Sequence, residues 1–154
     1  MTHQDLTIRQ ILLATDFSKF SRRAEAMTCT QARAFGAQVT VLHAIEPLME
    51  DATADSTGDD DLDAFYDELA GRAREELDEV VGRLEAGGVH AIGCLVRGER
   101  WRMIVEYADS HNIDLVVLGS HGVYDDGRPY VGTTSHRVLF GSAVPVLVVR
   151  WDDT

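Results

Sequence analysis

Short, continuous apolar runs alternate with longer segments of helical periodicity along this chain. The clearest run, Leu115-Val116-Val117-Leu118, contains no polar residue. A strand of that kind is typical of a parallel sheet that is covered on both faces. The alternation therefore predicts a three-layer α/β sandwich, in which right-handed crossover helices cover a five-stranded parallel sheet.

The same pattern predicts the bounds of each element. The predicted strands are Ile8 to Ala14, Val39 to Ile45, Val89 to Val96, Ile113 to Leu118 and Val144 to Val149. The predicted helices run from about Lys19 to Phe35, from Leu62 to Leu84, from Arg100 to His111 and from Thr133 to Phe140. Ser18 is the predicted cap of the first helix, and Gly36 its stop signal, since glycine tolerates the left-handed conformation that ends many helices.

Apolar residues at steps of three and four mark the helix faces that should lie against the sheet. The inward positions are predicted to be Phe20, Ala24, Met27 and Phe35 in the first helix, and Leu62, Phe65, Leu69, Ala73, Leu77, Val80 and Leu84 in the second. The stretch Glu46 to Asp61 is acidic and poor in apolar residues, and is therefore predicted to be a mobile surface loop.

The charge balance restricts the class of partner. Fourteen basic and 26 acidic residues give a net charge of −12, so nucleic acid and an anionic membrane surface would be repelled. Lys19 is the single lysine, which excludes the phosphate-binding loop motif ending in Lys-Ser/Thr. Cys29 and Cys94 lie too far apart in sequence for a zinc-binding spacing. Since no apolar run approaches the ~20 residues of a membrane span, a cytoplasmic protein of one domain, without membrane insertion, is expected.

Two glycine-containing segments are the candidates for chemistry. Strand four ends in Gly119-Ser120-His121-Gly122, and Gly132-Thr133-Thr134-Ser135 opens a helix after nine further residues. Ligands of open parallel sheets bind beyond the carboxyl ends of the strands. Glycine amides, hydroxyl donors and a helix N-terminus together suit a phosphate. Taken alone, the same residues also fit a turn followed by an N-capped helix.

Four segments resemble one known family. The spacing Gly119-x2-Gly122-x9-Gly132-Thr133 is similar to the nucleotide-binding signature of the universal stress protein family. The opening Ile11-Leu12-Leu13-Ala14-Thr15-Asp16-Phe17-Ser18, the Val41-Leu42-His43 end of strand two and the closing Val144-Pro145-Val146-Leu147-Val148-Val149 match the same family in the same order. The resemblance implies a Rossmann-like, five-stranded sheet of the adenine nucleotide α-hydrolase type, and membership of the family's ATP-binding branch.

The resemblance also implies a set of contacts to an adenine nucleotide, which would be ATP, ADP or AMP. Asp16 would lie at the adenosine end with Ala14 and Thr15 beside it, and the backbone of Ala44 would contact adenine. The ribose and phosphates would be surrounded by Gly119, Ser120, His121, Gly122, Gly132, Thr133, Thr134 and Ser135. No residue is assigned a catalytic role.

Several of these residues have a simpler alternative role. Asp16 would cap the first helix, and His121 would pack or bond within its loop. His43, inside a strand, is expected to be a hydrogen-bonded core histidine and not a ligand. Ser120 is not a nucleophile of the hydrolase type, because no Gly-x-Ser-x-Gly surrounds it.

The segment between the glycines contains two acids, Asp125 and Asp126. Their carboxylates would repel a triphosphate unless a divalent cation intervenes or the side chains point outward. Our hypothesis is that Arg128 offsets this charge, or that Asp125 or Asp126 helps to hold magnesium.

The favoured function is an ATP-dependent regulatory switch with at most slow hydrolysis, because no catalytic base or nucleophile stands out. The alternatives are an enzyme that hydrolyses or transfers from a nucleotide, and a nucleotide-free interaction module. The valine-rich last strand, Val144 to Val149, is predicted to be a sheet edge that must be covered. The family resemblance implies that a second copy covers it by antiparallel pairing, which would form a homodimer.

Overall fold

Five parallel strands form the central sheet of the computed structural model, which describes residues 2–48, 59–120, 122–123 and 129–151. The strands are β1 (Gln10–Ala14), β2 (Gln38–Ile45), β3 (Ala91–Arg97), β4 (Leu115–Ser120), β5 (Gly122–Val123), β6 (Pro129–Tyr130) and β7 (Val146–Arg150). The helices are α1 (Ser21–Phe35), α2 (Asp59–Ala86), α3 (Arg100–Ser110) and α4 (Thr133–Gly141). The sheet has the order β3-β2-β1-β4-β7 with every neighbouring pair parallel, which confirms the predicted fold class.

The three layers follow from the alternation of side chains along the central strand β1. Ile11 and Leu13 belong to the buried cluster that α1 and α2 cover, whereas Leu12 and Ala14 belong to the cluster under α3 and α4. All four residues are buried. Successive side chains of a strand point to opposite faces, so a strand without polar residues requires a helical layer on each side.

Four strands begin two residues later than predicted. Ile8, Val89, Ile113 and Val144 pack against the core but precede the paired residues of their strands. Apolar character reports burial, whereas a strand also requires backbone pairing, so the predicted starts were wrong. At its other end β4 is longer than predicted, because Gly119 and Ser120 still pair with β7. The short antiparallel pair of β5 and β6 was not predicted.

Helix α1 begins at Ser21, two residues later than predicted, and Ser18 does not cap it with its side chain. Instead, the carbonyl oxygen of Ser18 accepts both the backbone N–H of Ser21 at 3.1 Å and its hydroxyl at 2.8 Å. The predicted end is confirmed, because Gly36 has a left-handed φ of 67°. Phe35 is 48% exposed, contrary to its predicted inward position. The buried face consists of small residues, which bring the helix close to the sheet: Ser21, Ala24, Thr28 and Ala32.

Helix α2 begins at Asp59, so the predicted acidic loop ends earlier than expected, and its part at 49–58 lies outside the described residues. The predicted inward face is confirmed at Ala73, Leu77, Val80 and Leu84. It is wrong at Leu62 and Phe65, which are both 42% exposed, while Tyr66 is buried. A helix of 28 residues is about 42 Å long and exceeds the length of any strand beneath it. None of the described helices has the length and apolar character needed to cross a membrane.

Candidate functional site

A cavity of about 300 Å³ lies at the carboxyl ends of β1, β2 and β4. At this point the chain changes side, because α1 follows β1 onto one face of the sheet and α4 follows β4 onto the other. Ligands of open α/β sheets bind at such a switch point. The cavity is lined by Ala14, Thr15, Asp16, Ser18, Phe20, Ser21, Leu42, Ala44, Arg100, Ile104, Leu118, Gly119, Ser120, Gly132, Thr133, Thr134 and Ser135.

All of the predicted site residues except His121 and Gly122 line this cavity. His121 lies outside the described residues, and Gly122 belongs to β5, where it pairs with Tyr130. The lining residues that the sequence reasoning missed are Ser18, Phe20, Ser21, Leu42, Arg100, Ile104 and Leu118. Leu118 is adjacent in sequence to a predicted site residue, and Ser18 and Leu42 are two residues away from one. Arg100 and Ile104 come from the first turns of α3, which no motif had marked.

The loop after β1 is held by its own polar side chains. The backbone N–H of Thr15 donates to the carbonyl of Leu42 at 3.0 Å, which extends the pairing of β1 with β2. One carboxylate oxygen of Asp16 accepts the backbone N–H of Ser18 at 2.9 Å and its hydroxyl at 2.6 Å. Asp16 is therefore not the cap of α1, whose N-cap residue is Phe20. Its carboxylate instead fixes the turn that forms one wall of the cavity.

Two hydrogen bonds tie the end of β4 to the start of α4. The backbone N–H of Gly132 donates to the Ser120 hydroxyl at 3.0 Å, and the Ser135 hydroxyl donates to the carbonyl of Gly119 at 3.0 Å. Gly132 is the N-cap residue, and no side-chain cap bond forms there. The two glycine-containing segments of the sequence therefore meet, with the positive end of a helix dipole beside the cavity.

Gly119 has a structural reason to be glycine. A Cβ atom at this position would lie 2.8 Å from the carbonyl oxygen of Phe20 and 3.4 Å from the Cα of Ser21. The start of α1 therefore approaches the end of β4 more closely than any side chain permits. Gly119, Phe20 and Ser21 all line the cavity, so two of its walls touch at this point.

His43, which lies on β2, contacts the loop that follows β1. Its Nδ1 lies 2.8 Å from the carbonyl oxygen of Thr15, and its ring stacks on Phe17 with 4.2 Å between ring centres. Burial lowers the pKa of His43 below its ordinary value of 6.5. The hydrogen bond to Thr15 opposes that shift, the charge of Arg100 adds to it, and the charge of Asp16 opposes it. The hydrogen bond predicted for His43 is present, although its side chain is half-buried and does not lie in the core.

A second cavity of about 290 Å³ adjoins the first and shares Thr133 and Thr134 with it. Its other lining residues are Glu46, Pro47, Glu99, Trp101 and Arg137. The Glu99 carboxylate accepts hydrogen bonds from the Trp101 indole at 2.8 Å and from Arg137 at 3.1 Å. It thereby joins the start of α3 to α4.

The described residues offer hydrogen-bond donors and acceptors to a ligand, and no three His, Cys, Asp or Glu side chains among them cluster in a way that could hold a metal ion. Asp125, Asp126 and Arg128 lie outside the described residues. The hypothesis that Arg128 offsets the acidic charge, or that one of the two aspartates holds magnesium, therefore stays a prediction. The arrangement is suited to binding a molecule that carries both an apolar ring and an anionic group.

The chain matches known proteins over almost its whole length. A model of the universal stress protein family matches residues 7–150. A universal stress protein of Thermus aquaticus is 32% identical over 146 residues, which span 92% of this chain and 98% of that protein.

Solved structures of the same fold have lower sequence identity. A universal stress protein of Lactobacillus plantarum has a TM-score of 0.80 at 24% identity, over 95% of this chain and 100% of that one. A universal stress protein solved in complex with cAMP has a TM-score of 0.71 at 24% identity, over 94% and 98% of the two chains. A complex with dAMP from Archaeoglobus fulgidus has a TM-score of 0.68 at 21% identity, over 92% and 98%. By the family match and the Thermus aquaticus relative together, the chain belongs to the universal stress protein family.

Proposed function

We propose that this protein binds an adenine nucleotide, with ATP as the main ligand, and acts as a nucleotide-dependent regulatory switch with at most slow hydrolysis. The observation that carries the proposal is the junction of β4 with α4. There the Ser120–Gly132 and Ser135–Gly119 hydrogen bonds bring glycine backbone, hydroxyls and a helix N-terminus to one wall of a cavity. The relatives solved with cAMP and dAMP, which are both adenine nucleotides, support the same ligand class.

In this proposal the two ends of the cavity bind different parts of the nucleotide. The backbone of Ala44 and the apolar side chain of Leu42 hold the adenine ring at the end of β2. Asp16 accepts a hydrogen bond from the ribose hydroxyls or the base. The phosphates lie against Gly119, Ser120, His121, Gly122, Gly132, Thr133, Thr134 and Ser135. The first-turn amides of α4 and the Thr133 and Thr134 hydroxyls donate to them, while the Gly132 N–H and the Ser135 hydroxyl hold the junction together. A volume of about 300 Å³ falls at the lower end of small-molecule sites.

A substitution at Thr134 tests the position of the phosphates. Thr134 lies in the first turn of α4, where a carboxylate stabilises a helix. Thr134→Asp should therefore keep the fold while repelling the phosphates. We expect ATP affinity to fall by at least about tenfold, whereas the neutral Thr134→Asn should stay within about threefold of wild type. Isothermal titration with ATP gives both values, and circular dichroism checks the fold.

Each result of this titration has a definite meaning. Equal ATP affinity in Thr134→Asp and wild type would place the phosphates elsewhere. A wild-type protein that binds no ATP, ADP or AMP, with or without magnesium, would favour the nucleotide-free interaction module. The same ATP affinity with and without magnesium would remove Asp125 and Asp126 as magnesium ligands.

We also propose that the protein is a cytoplasmic homodimer in which the strand predicted at Val144 to Val149 pairs with a second copy. β7 is the last strand of the sheet order and pairs with β4 on one side. Its outer row of backbone groups is a template for a further strand. On α4, which follows β4, Phe140 is 80% exposed and would add apolar area to the interface.

A further inference from the structure

Arg100 is a half-buried residue that lines the main cavity and has one buried donor atom. It lines that cavity from the first position of α3. Among the described residues, its Nε is the buried side-chain nitrogen or oxygen that has no hydrogen-bond partner. Leaving a charged donor buried and unpaired costs more free energy than leaving a neutral one, so such a group calls for an explanation.

The surrounding acids do not provide that explanation. The Glu46 carboxylate accepts the backbone N–H of Arg100 at 3.1 Å. The Glu99 carboxylate is bonded to Trp101, Arg102 and Arg137. Asp16, the other charged residue that lines the cavity, holds the Ser18 turn.

Helix stability does not explain Arg100 either. A cation in the first turn of a helix faces the positive end of the helix dipole, which is unfavourable. The side chain is therefore placed against the local preference of α3. An anion in the cavity would remove both costs, because a guanidinium forms short, charge-assisted hydrogen bonds with phosphate oxygens.

Arg100 lines the same cavity as the residues proposed to bind the phosphates. The bond between Glu99 and Arg137 draws the start of α3 towards α4. Arg100 and the first-turn residues Thr133 and Thr134 consequently line the same cavity from two helix starts. The starts of α3 and α4 and the Arg100 side chain thus contribute to the wall of one cavity, and helix N-termini favour anions.

We propose that Arg100 is a specificity-determining residue, which binds a phosphate group of the nucleotide and makes the cavity favour a phosphorylated nucleoside over the nucleoside itself. This inference rests on the proposed function and adds to it a residue from outside the glycine-containing segments. The guanidinium donates to phosphate oxygens through Nε and one terminal nitrogen. Adenosine, which lacks the phosphate, leaves these donors unpaired.

The test compares AMP with adenosine by isothermal titration in wild type, Arg100→Gln, Arg100→Lys and the control Arg102→Gln. Arg102 lies on the same helix, does not line the main cavity and has a 61% exposed side chain. We expect Arg100→Gln to lose about 10- to 100-fold in AMP affinity, while adenosine affinity changes by less than about twofold. Arg100→Lys keeps the positive charge but lacks the paired N–H donors of a guanidinium, so its loss of AMP affinity should be smaller. Arg102→Gln should bind both ligands as wild type does.

Two results would overturn the role of Arg100. One is an AMP affinity that is unchanged in Arg100→Gln, and the other is an equal loss for AMP and adenosine, which would indicate general damage to the site. If Arg100→Gln does not fold, Arg100→Lys decides, and equal AMP affinity in that variant and wild type would overturn the Nε contact.

Inorganic pyrophosphate separates failure of this inference from failure of the proposed function. It carries the anion without a base, and its binding is measured as a rise in melting temperature. If wild type binds no nucleotide but pyrophosphate stabilises it more than Arg100→Gln, the proposed function is wrong and the anion site at Arg100 stands. If pyrophosphate stabilises both proteins equally, or neither, in the absence of nucleotide binding, the anion site is wrong as well.

Discussion

The Nδ1 atom of His43 lies 2.8 Å from the carbonyl oxygen of Thr15, so a side chain of β2 holds the residue at which β1 enters the cavity loop. A carbonyl oxygen only accepts hydrogen bonds, so Nδ1 carries the proton. Phe17, which stacks on the same ring, has a left-handed φ of 64°. The imidazole therefore supports a strained turn directly below Asp16.

The charges of Arg100 and Asp16 should change the pKa of His43 by a measurable amount. We expect its pKa to lie below 6.5, because burial disfavours the imidazolium. Arg100→Gln should raise that pKa, since it removes a positive charge, and Asp16→Asn should lower it, since it removes a negative one. Titration of the ring resonances by NMR gives all three values. Shifts in the same direction for both variants would show that rearrangement, and not charge, controls the pKa.

The lowered pKa of His43 also makes stability depend on pH. Below pH 6.5 the unfolded chain protonates this histidine while the folded protein keeps it neutral, so the unfolded state binds more protons. The contribution of neutral His43 to the free energy of unfolding is complete above pH 6.5. It is lost as the pH falls through the pKa that this histidine has in the folded protein. Urea unfolding at about pH 7.5 and about pH 5.5 should show a smaller loss for His43→Asn, which keeps a donor but does not titrate. Equal losses in both proteins would contradict the assignment.

Gly119 and Gly71 form a matched pair for testing the close approach of α1 to β4. In Gly119→Ala the new methyl group would meet the carbonyl of Phe20 at 2.8 Å, and we expect a loss of about 1–3 kcal/mol in the free energy of unfolding. Gly71 lies inside α2 with no atom within 4 Å of an added Cβ. Gly71→Ala should therefore stabilise the protein by about 0.5–1 kcal/mol. Chemical denaturation measures both, and a neutral Gly119→Ala would show that the helix start yields easily.

Substitutions on the two edge strands test the proposed dimer. Val148 lies in β7, and Ile92 lies in β3 at the opposite edge of the sheet, where it is 53% exposed. We expect Val148→Asp to shift the protein towards the monomer, because a charge would be buried in the interface. Since Val148 also packs against the core cluster under α3 and α4, circular dichroism checks that this variant folds. Ile92→Asp should leave the dimer intact. Light scattering at low concentration distinguishes the two masses, and an unchanged mass for a folded Val148→Asp would count against pairing through β7.

The main cavity illustrates what the sequence could predict. The ends of strands one, two and four were expected to meet, because the carboxyl ends of parallel strands share one edge of a sheet. Ala14, Ala44 and Gly119 do meet there, although the nucleotide contacts assigned to them stay a prediction. Arg100 was missed because an arginine at a helix start resembles an ordinary surface residue. The sequence did contain a sign that Arg100 has a special role, because a cation at a helix N-terminus is unfavourable for the helix.

Helix α2 shows what its sequence periodicity could not predict. Its periodicity located Leu77, Val80 and Leu84 correctly, because these residues lie over the sheet. The same periodicity failed at Leu62 and Phe65. Periodicity indicates which side of a helix is apolar, but it holds no information about where the neighbouring sheet ends. That information exists only once the lengths of the strands are known.

The position of β1 and β4 in the middle of the sheet affects how the cavity can open. Each has a hydrogen-bonded strand on both sides, and β3 and β7 are at the ends of the order. Local unfolding begins at frayed ends and edges, whereas central strands exchange their amide protons only when the whole domain unfolds. We therefore expect the floor of the cavity to belong to the last unit to unfold. A ligand bound there would slow amide exchange in the centre of the sheet by the same free energy with which it stabilises the protein.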